Sequence, residues 1–480
     1  MIEIPDVNGA AIGVFGLGVT GLATCEALIA SGAEIYSWDE NTEARKKTRN
    51  TEYLSEHPKK WPWERLAAVV VSPGVPLTHP KPHAIVRKAR AENIPVIGDT
   101  ELFARAINAI SEKERPRIVA ITGTNGKSTT TALIGHILKS VGETVHVGGN
   151  IGEPVLSLPA PAKHATYVLE LSSFQLDLTY SLRANAAVFL NLSPDHIERH
   201  GTVGGYVAAK RRIFRNQTKE DMAVIGVDDD TSEAVCTQMI ARDVAPVAPI
   251  SAQSTLGRGV YALDGNLFYN LDGKTTSAGS LDGAHALRGA HNHQNAAAAL
   301  AVCHALGVAP AIAVSAMERF EGLAHRMETV GVVGKTRFVN DSKATNAGAA
   351  AKALGAYEDI FWIAGGRAKE EGAAPLRDHM GAVRRAYLIG EAATSFEETL
   401  RGAVHCVLCD SLEDAVSAAR ADAQASDAPE PVVLLSPACA SYDQFASFVA
   451  RGEAFRSCVS AQTDTTAGGD APLRNGGEAA

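Results

Sequence analysis

Short aliphatic and β-branched runs recur along the chain, each followed by a glycine-rich or polar turn and then by an alanine-rich stretch of helical character: AAIGVF, AAVVVS, RIVAIT, TYVLEL, AAVFLN, DIFWIA, RAYLIG and PVVLLS. Strand-like runs alternating with helical ones predict parallel sheets flanked by helices. The pattern breaks twice. A first stretch, up to about Ala106, ends near the polar segment SEKERPR, and a new strand, turn and helix begin at Arg117. A second break lies near Gly322 to His325, after the alanine-rich helix around Ala296 to Leu306 and before the pattern restarts at Arg337 to Val339. Three α/β units follow, at 1–110, 111–323 and 324–462. The residues from Thr463 onward, TDTTAGGDAPLRNGGEAA, offer little to bury and read as a disordered tail, 463–480. No short repeat of solenoid length is present.

Length and composition agree with this organisation. At about 150 residues per domain, 480 residues suggest three domains, and 46% hydrophobic with 21% charged residues is the make-up of a globular chain with several cores. A formal net charge of −9 repels polyphosphate unless basic residues are locally focused, which argues against nucleic acid as a partner. No run approaches the roughly 18 apolar residues of a membrane span, and MIEIPDVNGA lacks a signal-peptide profile, so a cytoplasmic protein without membrane insertion is expected. Seven scattered cysteines do not make a disulfide framework. Cys406 and Cys409 form an isolated C-x-x-C that reads as buried, inert thiols.

Two glycine-rich turns carry candidate chemistry. After AAIGVF come Gly16-Leu17-Gly18-Val19-Thr20-Gly21 and a helix, with Asp39 ending the next strand, EIYSWD. Glycine lets a ligand approach the backbone closely and the helix N-terminus attracts phosphate, so this is the context of a nucleotide-binding turn; by itself it does not specify NAD. After RIVAIT come Gly123-Thr124-Asn125-Gly126-Lys127-Ser128-Thr129 and another helix. Successive N–H groups there can cradle phosphate oxygens, Lys127 can neutralise the β/γ-phosphates, and Ser128 or Thr129 can bind Mg²⁺. The loop is a variant, because Ile121 stands where the strict pattern has its first glycine. Glu170 at the end of TYVLEL, Asp195 and His196 after AAVFLNLSP, and Lys210 in YVAAKRRIF follow in order. Carboxylate and imidazole groups at strand ends beside a phosphate loop are candidate metal ligands, whereas Lys210 taken alone reads as a solvated helical lysine.

Taken together, TGTNGKSTT, GGNIG, LELSSFQL, NLSPDHIERHG, HNHQN, GLAHRME, NDSKATN, GGRAKE and SPACASYDQF resemble the Mur ligase family over nearly the whole chain, and LELSSFQL and SPACASYDQF resemble its D-glutamate-adding members. The resemblance implies an N-terminal Rossmann-like domain, a central P-loop ATPase-like domain and a C-terminal Rossmann-like domain, and an ATP-dependent acid–amino-acid ligase of peptidoglycan precursor synthesis. The carboxylate of UDP-N-acetylmuramoyl-L-alanine would attack ATP to give an acyl phosphate, and D-glutamate would displace the phosphate. It implies two Mg²⁺ ions, with Mn²⁺ as a substitute, and a monomer. Ser128 or Thr129 with Glu170 would hold one ion, and His196 with a carbamylated Lys210 the other, which makes Lys127, His196 and Lys210 the catalytic set. ATP would also contact Gly123, Thr124, Asn125, Gly126, the pair Asn292 and Asn295 through adenine, Arg326 through phosphate and Asp341 through ribose. The first turn would take UDP rather than NAD, using Gly18, Val19, Thr20, Asp39, Ser72 and Gly74, with Asn150 nearer the reacting end. D-Glutamate would meet Thr345, Lys369, Ser441 and Phe448. Two positions depart from the family pattern: Asn41 stands where some relatives are basic, and Arg367 where some are acidic. A sister ligase with another acceptor, a nicotinamide dehydrogenase and a nucleotide-controlled binding protein are the alternatives.

Overall fold

The computed structural model describes residues 1–48, 54–271, 273–369 and 371–467. They form two compact units, Met1–Ala284 with Ala290–Phe320, and His285–Gly289 with the chain from Glu321 onward.

The first unit holds two sheets. In the first, β1 (Ala11–Phe15), β2 (Glu34–Trp38), β3 (Leu54–Ser55), β4 (Leu66–Val71) and β5 (Val96–Ile97) lie in the order β3-β2-β1-β4-β5, all parallel. Alternate residues enter opposite cores. Ile12, Val14, Ala68 and Val70 pack with Cys25, Leu28 and Phe103 of the helices Val19–Ala30 and Asp99–Ala109. Ala11, Phe15, Val69 and Val71 face Trp61, Trp63 and the helix Ala84–Ala91. Gly13 must be glycine, because a Cβ there would overlap the Trp61 ring.

The second sheet contains β6 (Arg117–Thr122), β7 (Thr144–Gly149), β8 (Ala165–Glu170), β9 (Ala186–Phe189), β10 (Met222–Gly226), β11 (Val247–Ser251), β12 (Gly259–Leu263), β13 (Asn266–Asn270) and β14 (Thr276–Ser280). Their order is β14-β13-β12-β11-β10-β9-β6-β8-β7. β6 through β12 pair in parallel and the last two pairings are antiparallel. The connection leaving β6 skips over β8 to reach β7, and the chain then returns to build on the other side of β6. The loop after β6 therefore sits at a topological switch point, flanked by the ends of β8 and β9.

In the second unit, β15 (Glu328–Val333), β16 (Thr336–Asn340), β17 (Ile360–Gly365), β18 (Val383–Ile389), β19 (Cys406–Leu408) and β20 (Val432–Leu435) are ordered β15-β16-β20-β17-β18-β19. All pairings are parallel except β15 with β16. β17 and β20 are buried throughout, as strands covered on both faces must be.

The parallel α/β plan matches the sequence reading, which did not include the antiparallel β12–β14 and β15. β12 is joined to β13, and β15 to β16, by a two-residue turn, whereas the connection from β13 to β14 is longer. Asp264 and Gly265, joining β12 to β13, have φ of 48° and 74°, the pair of positive values a type I′ turn needs; Gly334 opens the corresponding turn before β16. At the C-terminal end the helix Phe448–Ala467 carries helical backbone through the start of the expected tail, and its remainder, 468–480, lies outside the described residues.

Candidate functional site

The first turn is built around the β1/β4 switch. Gly16 has φ 100°, a Cβ on it would overlap the Ser72 hydroxyl, and a Cβ on Gly21 would overlap the Gly16 carbonyl. The helix Val19–Ala30 starts at Gly18, which offers its first N–H groups no side-chain cap. Val19 is exposed, Thr20 and Ser72 are half-buried, and Gly74 follows β4. Asp39 shapes the turn from below: Leu17 N donates to its Oδ2 at 2.6 Å and Asn41 N to its Oδ1 at 2.7 Å. Asn41 itself caps a short helix through Glu43 N at 2.8 Å. Nearby, the Arg45 guanidinium lies 4.3 Å over the Trp38 ring and donates to Asp39 O and Glu40 O. Beside the ends of β1 and β2, Phe15, Trp38, His57, Trp63, His83 and Lys88 line a cleft of about 590 Å³.

The phosphate loop follows β6. Gly123 and Gly126 have φ of 153° and 82°, and Gly126 caps the helix Lys127–Ser140, with Ser128 buried and Thr129 half-buried in its first turn. The loop is tied at both sides. Thr124 N donates to Asn191 O at 2.9 Å, Asn125 N to Asn191 Oδ1 at 2.9 Å, and Thr124 Oγ1 to Ser193 O at 3.1 Å. Lys127 Nζ turns inward to Gly123 O and Thr124 O, both at 3.0 Å. Asn295 packs against the loop: its Oδ1 accepts from Thr130 Oγ1 at 3.1 Å, its Nδ2 donates to Asn292 Oδ1 at 3.1 Å, and a Cβ on Gly126 would overlap it. The two asparagines, one helical turn apart, thus form one polar patch beside the loop.

Lys210 is not a solvated lysine. It is 1% exposed, its Nζ donates to Gly123 O at 2.7 Å and Thr122 Oγ1 at 3.3 Å, and it lies 4.7 Å from the Tyr206 ring centroid. Burial, and secondarily the Lys127 cation, pushes its ammonium well below the ordinary lysine range, with Asp195 and Glu170 opposing. Two lysines therefore converge on one carbonyl, an arrangement that calls for anions. Glu170 is buried at the end of β8; Asn150 Nδ2 donates to its Oε1 at 2.8 Å, and its Oε2 has no partner among the described residues. An orphan buried carboxylate oxygen next to the Ser128 and Thr129 turn suits a hard cation. His196 is less drawn in. It has φ 52°, is half-exposed, and faces Asp195 at 3.5 Å, Glu198 at 3.8 Å and the Phe174 ring at 4.9 Å. Among the described residues no three His, Cys, Asp or Glu side chains form a metal-binding group by themselves. A metal here thus needs the hydroxyls or a modified Lys210.

The remaining candidates lie in the second unit. Asp341, at the end of β16, is buried and accepts from Ser436 Oγ at 2.9 Å and Met327 N at 3.3 Å. Burial pushes its carboxyl up to about 7, against the pull of these bonds and of Arg326. Ser441 is buried, Thr345 half-buried and Lys369 exposed, and the Lys343 ammonium sits 4.1 Å over the half-buried Phe448 ring. Arg367 pairs with Glu391 through two bonds of 3.1 and 2.9 Å, so its charge is already answered at the surface. Cys406 and Cys409 are half-buried rather than buried, and all seven cysteines are free.

Several residues that organise these sites were not singled out from the sequence. Asn191, Gln294 and Asp228 form a chain behind the phosphate loop, at 3.1 and 2.8 Å; the amides in HNHQN and NLSP were the available signal. Arg451 is 1% exposed and donates to Ser342 Oγ, Ser342 O, Cys439 O and Gly365 O at 3.0, 2.9, 3.0 and 3.5 Å. It thereby ties the ends of β16, β20 and β17 together, and burial lowers its guanidinium to about 10. Arg451→Met keeps most of the volume but strands these oxygens, so it is expected to cost about 3 kcal/mol. A denaturant midpoint for the second unit that moves by less than a third of that would refute the role.

Comparison with known proteins agrees with this geometry. Residues 10–98 match the MurD-like N-terminal domain of Mur ligases, 121–303 the Mur ligase middle domain and 325–439 the Mur ligase glutamate ligase domain. The chain is 52% identical over 463 residues to a UDP-N-acetylmuramoylalanine-D-glutamate ligase of Caulobacter vibrioides, covering 96% of this chain and 98% of the relative. It is 51% identical over 464 residues to the enzyme of that name from Phenylobacterium zucineum, covering 97% and 99%. The fold resembles a UDP-N-acetylmuramate-alanine ligase from Thermotoga maritima, with TM-score 0.57, 17% identity and coverage of 94% and 99%. It also resembles MurF from Acinetobacter baumannii, with TM-score 0.56, 15% identity and coverage of 95% and 92%. With its phosphate loop, its switch-point turn and all three domain matches in order, the chain belongs to the Mur ligase family.

Proposed function

We propose that the chain is an ATP-dependent amide ligase that joins D-glutamate to UDP-N-acetylmuramoyl-L-alanine in cytoplasmic peptidoglycan precursor synthesis, acting as a monomer. The observation that carries this reading is the phosphate loop on which Lys127 and the buried Lys210 meet at Gly123 O. A dehydrogenase has no use for it. The two full-length relatives described above carry the same specificity in their names. No helix among the described residues is long and apolar enough to cross a membrane.

In this reading the substrate carboxylate attacks the γ-phosphorus of ATP, ADP leaves, and the acyl phosphate is attacked by the D-glutamate amine, which loses a proton as phosphate departs. Two anions must meet in the first step, so preplaced cations are the main requirement. Lys127 faces the transferring phosphoryl group, loop N–H groups hold the phosphates, and Asn292 and Asn295 form a polar platform for adenine. Arg326 and Asp341 are assigned to ATP phosphate and ribose. Ser128 or Thr129 with Glu170 would hold one Mg²⁺, and His196 with Lys210 as its carbamate a second, where Mn²⁺ can substitute; these ions supply charge neutralisation between the reacting anions. The depressed lysine value supports the carbamate. A neutral amine attacks CO₂ and releases a proton, leaving an N-carboxylate. Gly18, Val19, Thr20, Ser72 and Gly74 would take the diphosphate, with Asp39 shaping their turn, Asn150 nearer the reacting end, and the aromatic cleft beside Trp38 suited to a planar base. Thr345, Lys369, Ser441 and Phe448 would receive D-glutamate, Lys369 through its side-chain carboxylate.

The test is phosphate release from ATP with UDP-N-acetylmuramoyl-L-alanine and each of D-glutamate, L-glutamate, D-alanine, L-lysine and diaminopimelate, with product masses checked. Release and a new amide with D-glutamate alone is the expected result. Turnover with another acceptor would overturn the specificity, and no turnover with any would overturn the ligase reading.

A further inference from the structure

Asp99 opens the helix Asp99–Ala109 and is 3% exposed. Thr100 Oγ1 lies 3.4 Å from its Oδ1, and its Oδ2 has no partner among the described residues. The carboxyl lines a small space of about 10 Å³ together with Gly16, Thr20, Gly21, Thr24 and Ser72, with valines on the same wall. That is room for about one water molecule among several polar groups. Gly16, Thr20 and Gly21 belong to the turn assigned above to the diphosphate, and the Ser72 hydroxyl lies against Gly16 Cα. Asp99 is thus on the underside of that turn.

We propose that Asp99 takes up a proton when the diphosphate of the sugar-nucleotide substrate binds the Gly16–Gly21 turn, and that it is a positioning residue governing how tightly the turn holds that diphosphate; the proposal rests on the UDP reading of the turn. An ionised carboxylate in a water-poor space repels an anion bound just above it. A proton taken from solvent onto Oδ2 removes the repulsion. It also makes Asp99 a donor toward Ser72 Oγ, directly or through one water, which leaves the Ser72 hydrogen free for a phosphate oxygen. No other bond changes. The groups facing Asp99 cannot titrate in its place: Thr20 and Thr24 come from the helix above, Val14 and Gly16 from β1 and its turn, and valines and Ser72 from β4 and its turn. On its own helix, Glu101 is occupied by Arg105 and by the N–H groups of Tyr180 and Ser181. Burial already pushes Asp99 up to about 6, and a neighbouring diphosphate raises it further. The complex then holds more protons than the free protein, so binding strengthens as pH falls and weakens as pH rises above that value.

Titration calorimetry with UDP-N-acetylmuramoyl-L-alanine, whose diphosphate diester does not ionise in this range, tests the idea in buffers of different ionisation enthalpy. For the natural chain we expect proton uptake on binding and an affinity about tenfold weaker at about pH 8 than at about pH 6. Asp99→Asn keeps the shape and cannot titrate; it should bind with no such uptake, at a nearly constant affinity at least equal to the natural chain's at the higher pH. Its folding is checked by melting. The native carboxyl sits above its ordinary value of 3.8, so the folded state holds more protons and loses stability as pH rises from about 4 through about 6. The asparagine variant escapes that loss and should melt higher at neutral pH. Binding by the natural chain without proton uptake, or the same uptake in Asp99→Asn, would overturn the proposal. Complete absence of binding by the natural chain would instead overturn the UDP reading, and the proposal with it.

Discussion

Lys127→Ala is expected to lower turnover by about 10³-fold or more, equivalent to about 4 kcal/mol of lost transition-state stabilisation. Lys127 Nζ is held by Gly123 O and Thr124 O inside the loop, so its charge is in place before ATP arrives and need not be ordered during the reaction. As the γ-phosphoryl group transfers, negative charge spreads over its oxygens, and a fixed cation there counts more than a mobile one. The side chain is only half-buried and these bonds reach the loop's own carbonyls, so the fold should survive: a melting temperature within a few degrees of the natural chain's is the control. The affinity for UDP-N-acetylmuramoyl-L-alanine should be unchanged, because its nucleotide is assigned to another sheet. Turnover within about tenfold of the natural chain would sink the assignment of Lys127 to the transferring phosphate.

Lys210→Ala should cost at least about 10²-fold, and part of that loss should return on adding acetate or propionate. The argument starts from burial. An ammonium 1% exposed, with a second lysine beside it, is a poor resting state, and conversion to a carbamate replaces a cation–cation contact with a cation–anion one. A small carboxylate entering the space left by Lys210→Ala would restore that anion near Glu170 and Lys127. Depleting CO₂ should lower the activity of the natural chain and bicarbonate should restore it. The acid side has a definite sign: since the neutral amine is the species that reacts, protonation as pH falls removes the carbamate, and activity should decline there. A folded Lys210→Ala chain that no carboxylate rescues, together with a natural chain indifferent to CO₂, would refute the modification.

The phosphate loop was readable because its chemistry is contiguous. Gly123, Gly126, Lys127 and Ser128 lie within six positions, and each has a local reason to be what it is: positive φ, a left-handed cap, a cation, a hydroxyl. The D–G and G–K turns that join β12 to β13 and β15 to β16 are equally local signals of antiparallel pairing, whereas the longer connection to β14 carries none as short. Lys210 shows the opposite case. On a short helix with basic neighbours it reads as a surface residue, and only the tertiary packing that aims its Nζ at Thr122 Oγ1 and Gly123 O makes it a buried amine. Cys406 and Cys409, expected to be buried, are half-buried because they lie in and just after the short edge strand β19.

Arg451, Asp99 and the Asn191, Gln294 and Asp228 chain mark the boundary most clearly. Strand periodicity, glycine turns and helix starts are set by backbone stereochemistry and by neighbours a few residues away, so the amino-acid order alone determined the α/β pattern and the two glycine-rich turns that follow a strand and open a helix. Strand order was not determined in that way. It took the tertiary structure to return β8 and β9 to the flanks of β6, bringing Glu170 and Asn191 to the loop, and to set Asp99 under a turn some 80 residues earlier in the chain. Whether a charged side chain ends in water or in a low-dielectric interior depends on such long-range packing. Burial in turn decides which lysine is pushed below its ordinary range, which arginine holds carbonyls instead of carboxylates, and which aspartate is pushed above its own.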